Sequence, residues 1–188
     1  MLNMKKINEI ENIVINSNEY WAIHSRLVAI NAKTLAEMLG LDSRIAYYYG
    51  LFHDIGRMYH LDDFSHLYKG FDFLFHNLGF SYARICITHA FPIKNVLSFN
   101  GEITNNDMQE FIIKFLNEIN YDIYDLLIQL CDSISIDKTI TIEKRYDLLK
   151  LKNKWNEYTN DKINRLNDIK SYFDKLLGND IYKILNIK

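Results

Sequence analysis

A single proline, Pro92, interrupts this chain of 188 residues, and only seven glycines accompany it. Average usage is about 5% and 7% respectively. With so few breakers the chain has little means of making frequent turns, which favours long helices. The apolar residues agree. Ile7, Ile10 and Val14 share one helical face. So do Trp21, His24, Val28, Leu35 and Met38, and Ile45, Tyr49 and Phe52. Ile123, Leu127, Leu130 and Ile134 repeat the pattern, with Tyr124 and Ile128 covering a second side. No stretch alternates long enough to specify a sheet. The expectation is an all-α bundle of roughly seven to nine helices, in one domain spanning residues 1–188.

The spacing predicts helices over about 4–15, 19–39, 42–55, 66–77, 81–89, 107–118 and 122–136. A helical but more polar tail follows over 142–187, broken at Gly178. Ser17 or Asn18 is the expected N-cap of the second helix, and Gly40 its left-handed stop. Asp42 or Ser43 caps the third. Ala46 and Gly50 lie below His53 on that helix and leave room for a close neighbour. Residues 57–65 read as a polar loop with one turn of helix, and 95–106 as a second loop.

Lysine and arginine total 22 against 24 acidic residues, giving a net charge of −2 and a pI near 6.3. That balance carries no electrostatic footprint for nucleic acid or an anionic membrane. No apolar run approaches the ~18 residues of a membrane span. No apolar stretch follows the first residues, so no signal peptide is expected. Cys86 and Cys131 form no CxxC pair and read as reduced core thiols, which suits a cytoplasmic protein. Cys131 is no nucleophile, because Asp132 beside it raises its pKa.

Asp132 is the residue that most needs explaining. It falls inside an apolar helix, in Leu130-Cys131-Asp132-Ser133-Ile134, where an unpaired carboxylate costs several kcal/mol or more. His24 lies on an apolar stripe, and His53-Asp54 ends an apolar helix. Singly, each has a structural reading: a hydrogen-bonded core histidine, a chance dipeptide, a salt-bridged carboxylate. Together they offer imidazole and carboxylate ligands suited to Fe, Mn, Zn or Mg.

With that order of residues the chain resembles the HD superfamily of metal-dependent phosphohydrolases, whose ligand pattern is His…His-Asp…Asp. The matching stretches are Ile23-His24-Ser25-Arg26-Leu27-Val28, Gly50-Leu51-Phe52-His53-Asp54-Ile55-Gly56-Arg57 and Leu130-Cys131-Asp132-Ser133. The middle one is close to the HDIG signature. The resemblance covers roughly residues 20–136 and leaves 140–188 as an extension without a motif. It implies one or two divalent ions, held by His24, His53, Asp54 and Asp132. Ser65-His66 through Gly70 to His89 is similar to branches with two further histidine ligands, which implies a second ion on His66 and His89 with Asp54 bridging. His60 and His76 match nothing and read as surface or loop residues.

The implied reaction is hydrolysis of a phosphoester or phosphoanhydride, of a nucleotide or another small phosphorylated molecule, by metal-activated water. The alternative within the family is a non-catalytic nucleotide-sensing or interaction module. The GYP signature of the cyclic-dinucleotide branch is absent. So are the acidic pair of the guanosine-tetraphosphate hydrolases and the early Glu of the 5′-nucleotidase branch. The dinucleoside-tetraphosphate hydrolase branch is similar in length and in its histidines. It departs from this chain at Ala90-Phe91-Pro92 and around Asp132. Arg57 is the leading catalytic and phosphate-binding candidate, with a salt bridge to Asp62 or Asp63 as its structural alternative. Lys69 and Arg26 are weaker substrate candidates, and Lys138 and Arg145 follow the Asp132 helix towards a cleft. Tyr68 and Phe91 could stack on a base, though packing roles suit them better. A homodimer through the C-terminal helices remains open.

Overall fold

The computed structural model describes residues 4–187, and within them the fold is all-helical. The helices are α1 (Met4–Asn16), α2 (Tyr20–Leu39), α3 (Ser43–Phe52), α4 (Ser65–Leu78), α5 (Phe80–Ala83), α6 (Ile85–Thr88), α7 (Asn106–Glu118), α8 (Ile123–Ser133), α9 (Ile142–Leu151), α10 (Thr159–Leu177) and α11 (Ile181–Ile184). Eight of them have ten or more residues, within the expected seven to nine, and the rest are single turns. Among the described residues the only β pairing is an isolated bridge between Ser135 and Thr139.

The central unit is the antiparallel pair α2–α3. Gly50 makes it possible: an ideal Cβ there would lie 2.7 Å from the Ala29 Cα and 2.8 Å from the Ala29 N. The small residues expected beneath His53 therefore do admit a neighbouring backbone. Gly40 ends α2 at φ 70°, its N–H donating to the Ala36 and Glu37 carbonyls. Asp42 caps α3 by accepting from the Arg44 and Ile45 N–H groups. α8 packs across this pair, α10 packs on α8, and α9 packs on α10. A second apolar cluster, built on Phe64, Leu67, Ile87, Phe91 and α7, lies on the far side of α4 and α6.

Several local expectations are corrected. The N-cap of α2 is Glu19, without a side-chain cap, and the Ser17 Oγ accepts from the Glu19 N–H instead. Met38 is exposed rather than inward. α3 stops at Phe52 because the His53 Nδ1–H, 2.7 Å from the Gly50 carbonyl, takes the acceptor that a continuing helix would offer to Asp54. A 3₁₀ turn over Ile55–Tyr59 follows, where one turn was expected inside a loop. The helix expected over 81–89 is two short turns meeting at Arg84. α8 ends at Ser133, which places Asp132 in its last turn, not mid-helix. The chain turns back there because the Asn31 Nδ2 donates to both Ser135 Oγ and Thr139 Oγ1, each at 3.1 Å.

Candidate metal centre

The bundle brings His24 (α2), His53 and Asp54 (end of α3), His66 (α4), His89 (end of α6) and Asp132 (α8) to the floor of one cavity. All but His53 line it, and its volume is about 490 Å³. The five histidine and aspartate residues other than Asp132 are buried. Asp132 is partly open to the cavity, which is how its carboxylate escapes full burial.

Two groups of ligand-type atoms converge. In the first, the His24 Nε2 lies 2.9 Å from the Asp132 Oδ1 and 3.2 Å from the His53 Nε2. The His53 Nδ1–H is committed to the Gly50 carbonyl, so its Nε2 presents a lone pair. The His24 Nε2 thus faces two acceptor atoms, the Asp132 Oδ1 and the His53 Nε2. In the second group, the Asp54 Oδ1 lies 3.0 Å from the His66 Nε2 and 3.7 Å from the His89 Nε2. The His89 Nδ1–H donates to the Ile85 carbonyl at 2.9 Å and likewise turns a bare Nε2 to the cluster. Such backbone acceptors fix the tautomer of ligating histidines. The Asp54 Oδ1 and both His66 nitrogens are buried without a hydrogen bond. Each orphan costs roughly 1–3 kcal/mol, and a divalent cation would satisfy the two that face each other, the Asp54 Oδ1 and the His66 Nε2. His24, His53 and Asp132, and His53, Asp54 and His89, form sets compact enough to hold an ion.

Electrostatics reinforce the arrangement. Burial would raise the Asp54 carboxyl, but Arg57, then His53 and His66, hold it well below the usual carboxylate range. Burial would also raise Asp132, and the His24 hydrogen bond with the surrounding imidazoles reverses that. Burial depresses His53, and pushes His89 down to about 3. These two rings stay neutral, the form that binds a metal.

A stability prediction follows. An unfolded histidine gains its proton below about 6.5, while these two folded rings resist. The unfolded state then binds more protons, so stability of the metal-free protein should fall as pH drops from about 7 to 5. Urea midpoints at pH 7.5, 6.5 and 5.5 would show a steady decline. A flat series would contradict the neutral, buried assignment of both rings.

The other sequence candidates divide. Arg57 lines the cavity, but its Nε donates to the Asp54 Oδ2 at 2.7 Å and its Nη1 to the Asp63 Oδ1 at 2.9 Å. The alternative salt bridge with Asp63 is therefore present. Arg26 does not reach the cavity; its guanidinium donates to the Val14, Ile15 and Ser17 carbonyls at the end of α1. Lys69 and Lys138 do not line it either. Tyr68 packs edge-on against Phe111, and Phe91 is a core residue beside Phe99. Arg145 does line it. His60 is exposed at its rim, 3.6 Å from Glu19, and His76 is exposed on α4. Cys131 and Cys86 are buried thiols whose pKa burial raises, with a further push on Cys131 from Asp132 and on Cys86 from Asp54.

Gln129, Tyr146 and Lys162 are among the lining residues that escaped the sequence reading. Gln129, one turn before Asp132, donates from Nε2 to the Thr88 carbonyl at 2.9 Å and leaves a buried Oε1 unpartnered. Its signal was a polar residue inside the apolar run Leu126–Cys131. Tyr146 and Lys162 come from the extension, and Lys162 interrupts the buried stripe Thr159, Leu166, Ile169 and Phe173 of α10.

A family model described as HD domain matches residues 21–137. No curated protein and no solved structure was found to match the chain. No helix among the described residues is long and apolar enough to cross a membrane.

Proposed function

The chain belongs to the HD-domain family, and from that premise we propose that it is a metal-dependent phosphohydrolase acting on a small phosphorylated molecule of nucleotide size. The observation that carries this reading is the convergence of His24, His53 and Asp132 beside Asp54, His66 and His89, with buried ligand atoms left unsatisfied by the protein itself. In this reading His24, His53, Asp54 and Asp132 hold one divalent ion, and His66 and His89 a second that Asp54 shares. When bound, such ions polarise a phosphoryl oxygen and make water a nucleophile at neutral pH.

The chain's own residues do the rest. Arg57 holds the Asp54 Oδ2 and so keeps Oδ1 turned to His66 and His89. Asp63 in turn steadies Arg57 and pairs with Lys154. The free Gln129 Oε1 can accept a hydrogen bond from a water or hydroxyl in the cleft. Trp21, Phe99 and Tyr146 give the cavity apolar walls, against which a base or sugar could rest. A volume of about 490 Å³ lies within the range common for ligand pockets. The bond cleaved is a phosphoester or phosphoanhydride, with no covalent enzyme intermediate.

The test is metal content per chain by elemental analysis, with turnover of aryl phosphate esters and nucleotides in the presence of Mn. About two equivalents of metal and measurable turnover are expected. Failure to retain any ion after reconstitution with Fe or Mn would overturn the reading. Metal and nucleotide binding without turnover would replace it with a sensing module.

A further inference from the structure

The wall of the cavity facing the histidine–aspartate cluster is built by residues beyond 137, outside the stretch that matches the family. Arg145 and Tyr146 come from α9, Lys152 from the turn after it, and Lys162 and Leu166 from α10. This segment is fastened to the loop beside the site. The Asn156 Nδ2 donates to the Leu97 and Phe99 carbonyls, and the Asn100 Nδ2 to the Thr159 Oγ1.

The charges on this wall are unbalanced. Glu19 faces His60, and Asp54 and Asp63 are taken by Arg57 and Lys154. Arg145, Lys152 and Lys162 have no carboxylate partner among the described residues. Lys162 is the most telling, since it is buried on a core-facing stripe. Its Nζ donates to the Asn100 Oδ1 at 2.7 Å and to the Ala90 and Ser98 carbonyls at 3.2 Å, all neutral acceptors. Those bonds use the three protons of the ammonium form, while burial pulls its pKa down to about 8. Arg145 is half-buried, and its guanidinium makes no hydrogen bond or ion pair among the described residues. The Asp132 carboxylate acts favourably on the Lys162 charge, and the Arg145 guanidinium acts against it to a smaller extent. Arg145, Lys152 and Lys162 line one partly closed cleft, and the carboxylate acting on Lys162 there is Asp132, itself shared with His24, so the cleft still favours an added anion.

We propose that Arg145 and Lys162 form an anion subsite for a second phosphate of the substrate, next to the one that sits at the histidine–aspartate cluster. Arg145 makes the direct, forked contact and Lys162 supplies a fixed charge behind it. The substrate class is then a phosphoanhydride chain rather than a phosphomonoester. This rests on the hydrolase reading for the first phosphate only; the subsite itself is a property of the extension.

The experiment measures binding of methylenediphosphonate and of methylphosphonate to the full chain by calorimetry, as purified and again after dialysis against chelator. Wild type should prefer the diphosphonate at least tenfold in both states. Arg145→Gln should remove most of that preference, Arg145→Lys should recover part of it, and Lys162→Met should weaken the diphosphonate more than the monophosphonate. Arg145 is not in the core, so its variants report even if Lys162→Met does not fold. An unchanged preference in Arg145→Gln, or none in wild type, would overturn the subsite. If the preference vanishes as expected while metal content is nil, the subsite stands and the hydrolase reading falls. If phosphate esters turn over but Arg145→Gln binds as wild type does, the reverse holds.

Discussion

Replacing Asp54 by Asn is expected to abolish hydrolysis and to strip metal from the protein while leaving it folded. The two carboxylate oxygens have different neighbours. Oδ2 accepts from the Arg57 Nε, and Oδ1 faces the His66 and His89 Nε2 atoms. An amide has one oxygen to offer. If it turns its oxygen to Arg57, its NH₂ points at the two imidazoles and a ligand is replaced by a donor. If it turns the other way, two donors meet at Arg57 and the oxygen left for the ion is neutral. Neither orientation restores the site. Loss of an outer-shell partner typically costs about 10–100-fold in metal affinity or activity, and loss of a direct ligand should exceed that. Elemental analysis and kcat/KM on the same preparation would read both effects, with circular dichroism as the check on folding. Retained metal with turnover within about tenfold of wild type would remove Asp54, and with it the proposed centre, from the mechanism.

The difference between what could and could not be read from the sequence has a physical basis. Helical periodicity follows from burial along one face, so Ile7, Ile10 and Val14, or the α2 and α8 stripes, were legible wherever a long helix packs on a core. The ligand set was legible because polar, titratable residues stood on those stripes without a local reason. Helix ends were not, because they depend on particular hydrogen bonds. His53 halts α3 by taking the Gly50 carbonyl, and Asn31, a hundred residues away, decides where α8 stops. Arg57 illustrates the same limit. Its position after the signature suggests a phosphate ligand, yet the loop that carries Asp63 folds back and shares its charge. Lys162 did carry a local signal, a lysine at a core position of α10. Its meaning emerges only once the extension is folded over the cleft, because nothing in the spacing of 159–173 says which cavity that face closes.

Gly56→Ala should be the most damaging conservative change in the protein, and it should act on the site as well as the fold. A Cβ at position 56 would lie 2.0 Å from the His66 carbonyl oxygen and 2.6 Å from the Gly70 N. Both are backbone atoms of α4, so no side chain can rotate away, and the whole helix must retreat. His66 moves with it, away from the Asp54 Oδ1 at 3.0 Å. Overpacking of this kind costs roughly 1–3 kcal/mol and sometimes more; a backbone clash places Gly56→Ala at the upper end. At about 2–4 °C per kcal/mol for a chain of this size, a loss of ~3 kcal/mol lowers Tm by roughly 6–12 °C. Gly40→Ala makes the contrast. Gly40 sits at φ 70° with nothing within 4 Å of a Cβ, so alanine there meets only the left-handed penalty of roughly 1–2 kcal/mol. It stands at the far end of α2 from His24. Both variants should therefore lower Tm, Gly56→Ala by more, but only Gly56→Ala should also lose metal from the His66 side. Calorimetric unfolding with metal analysis separates the two effects. Equal metal content in both variants would mean that α4 yields without carrying His66, and that the Gly56 contact serves stability alone.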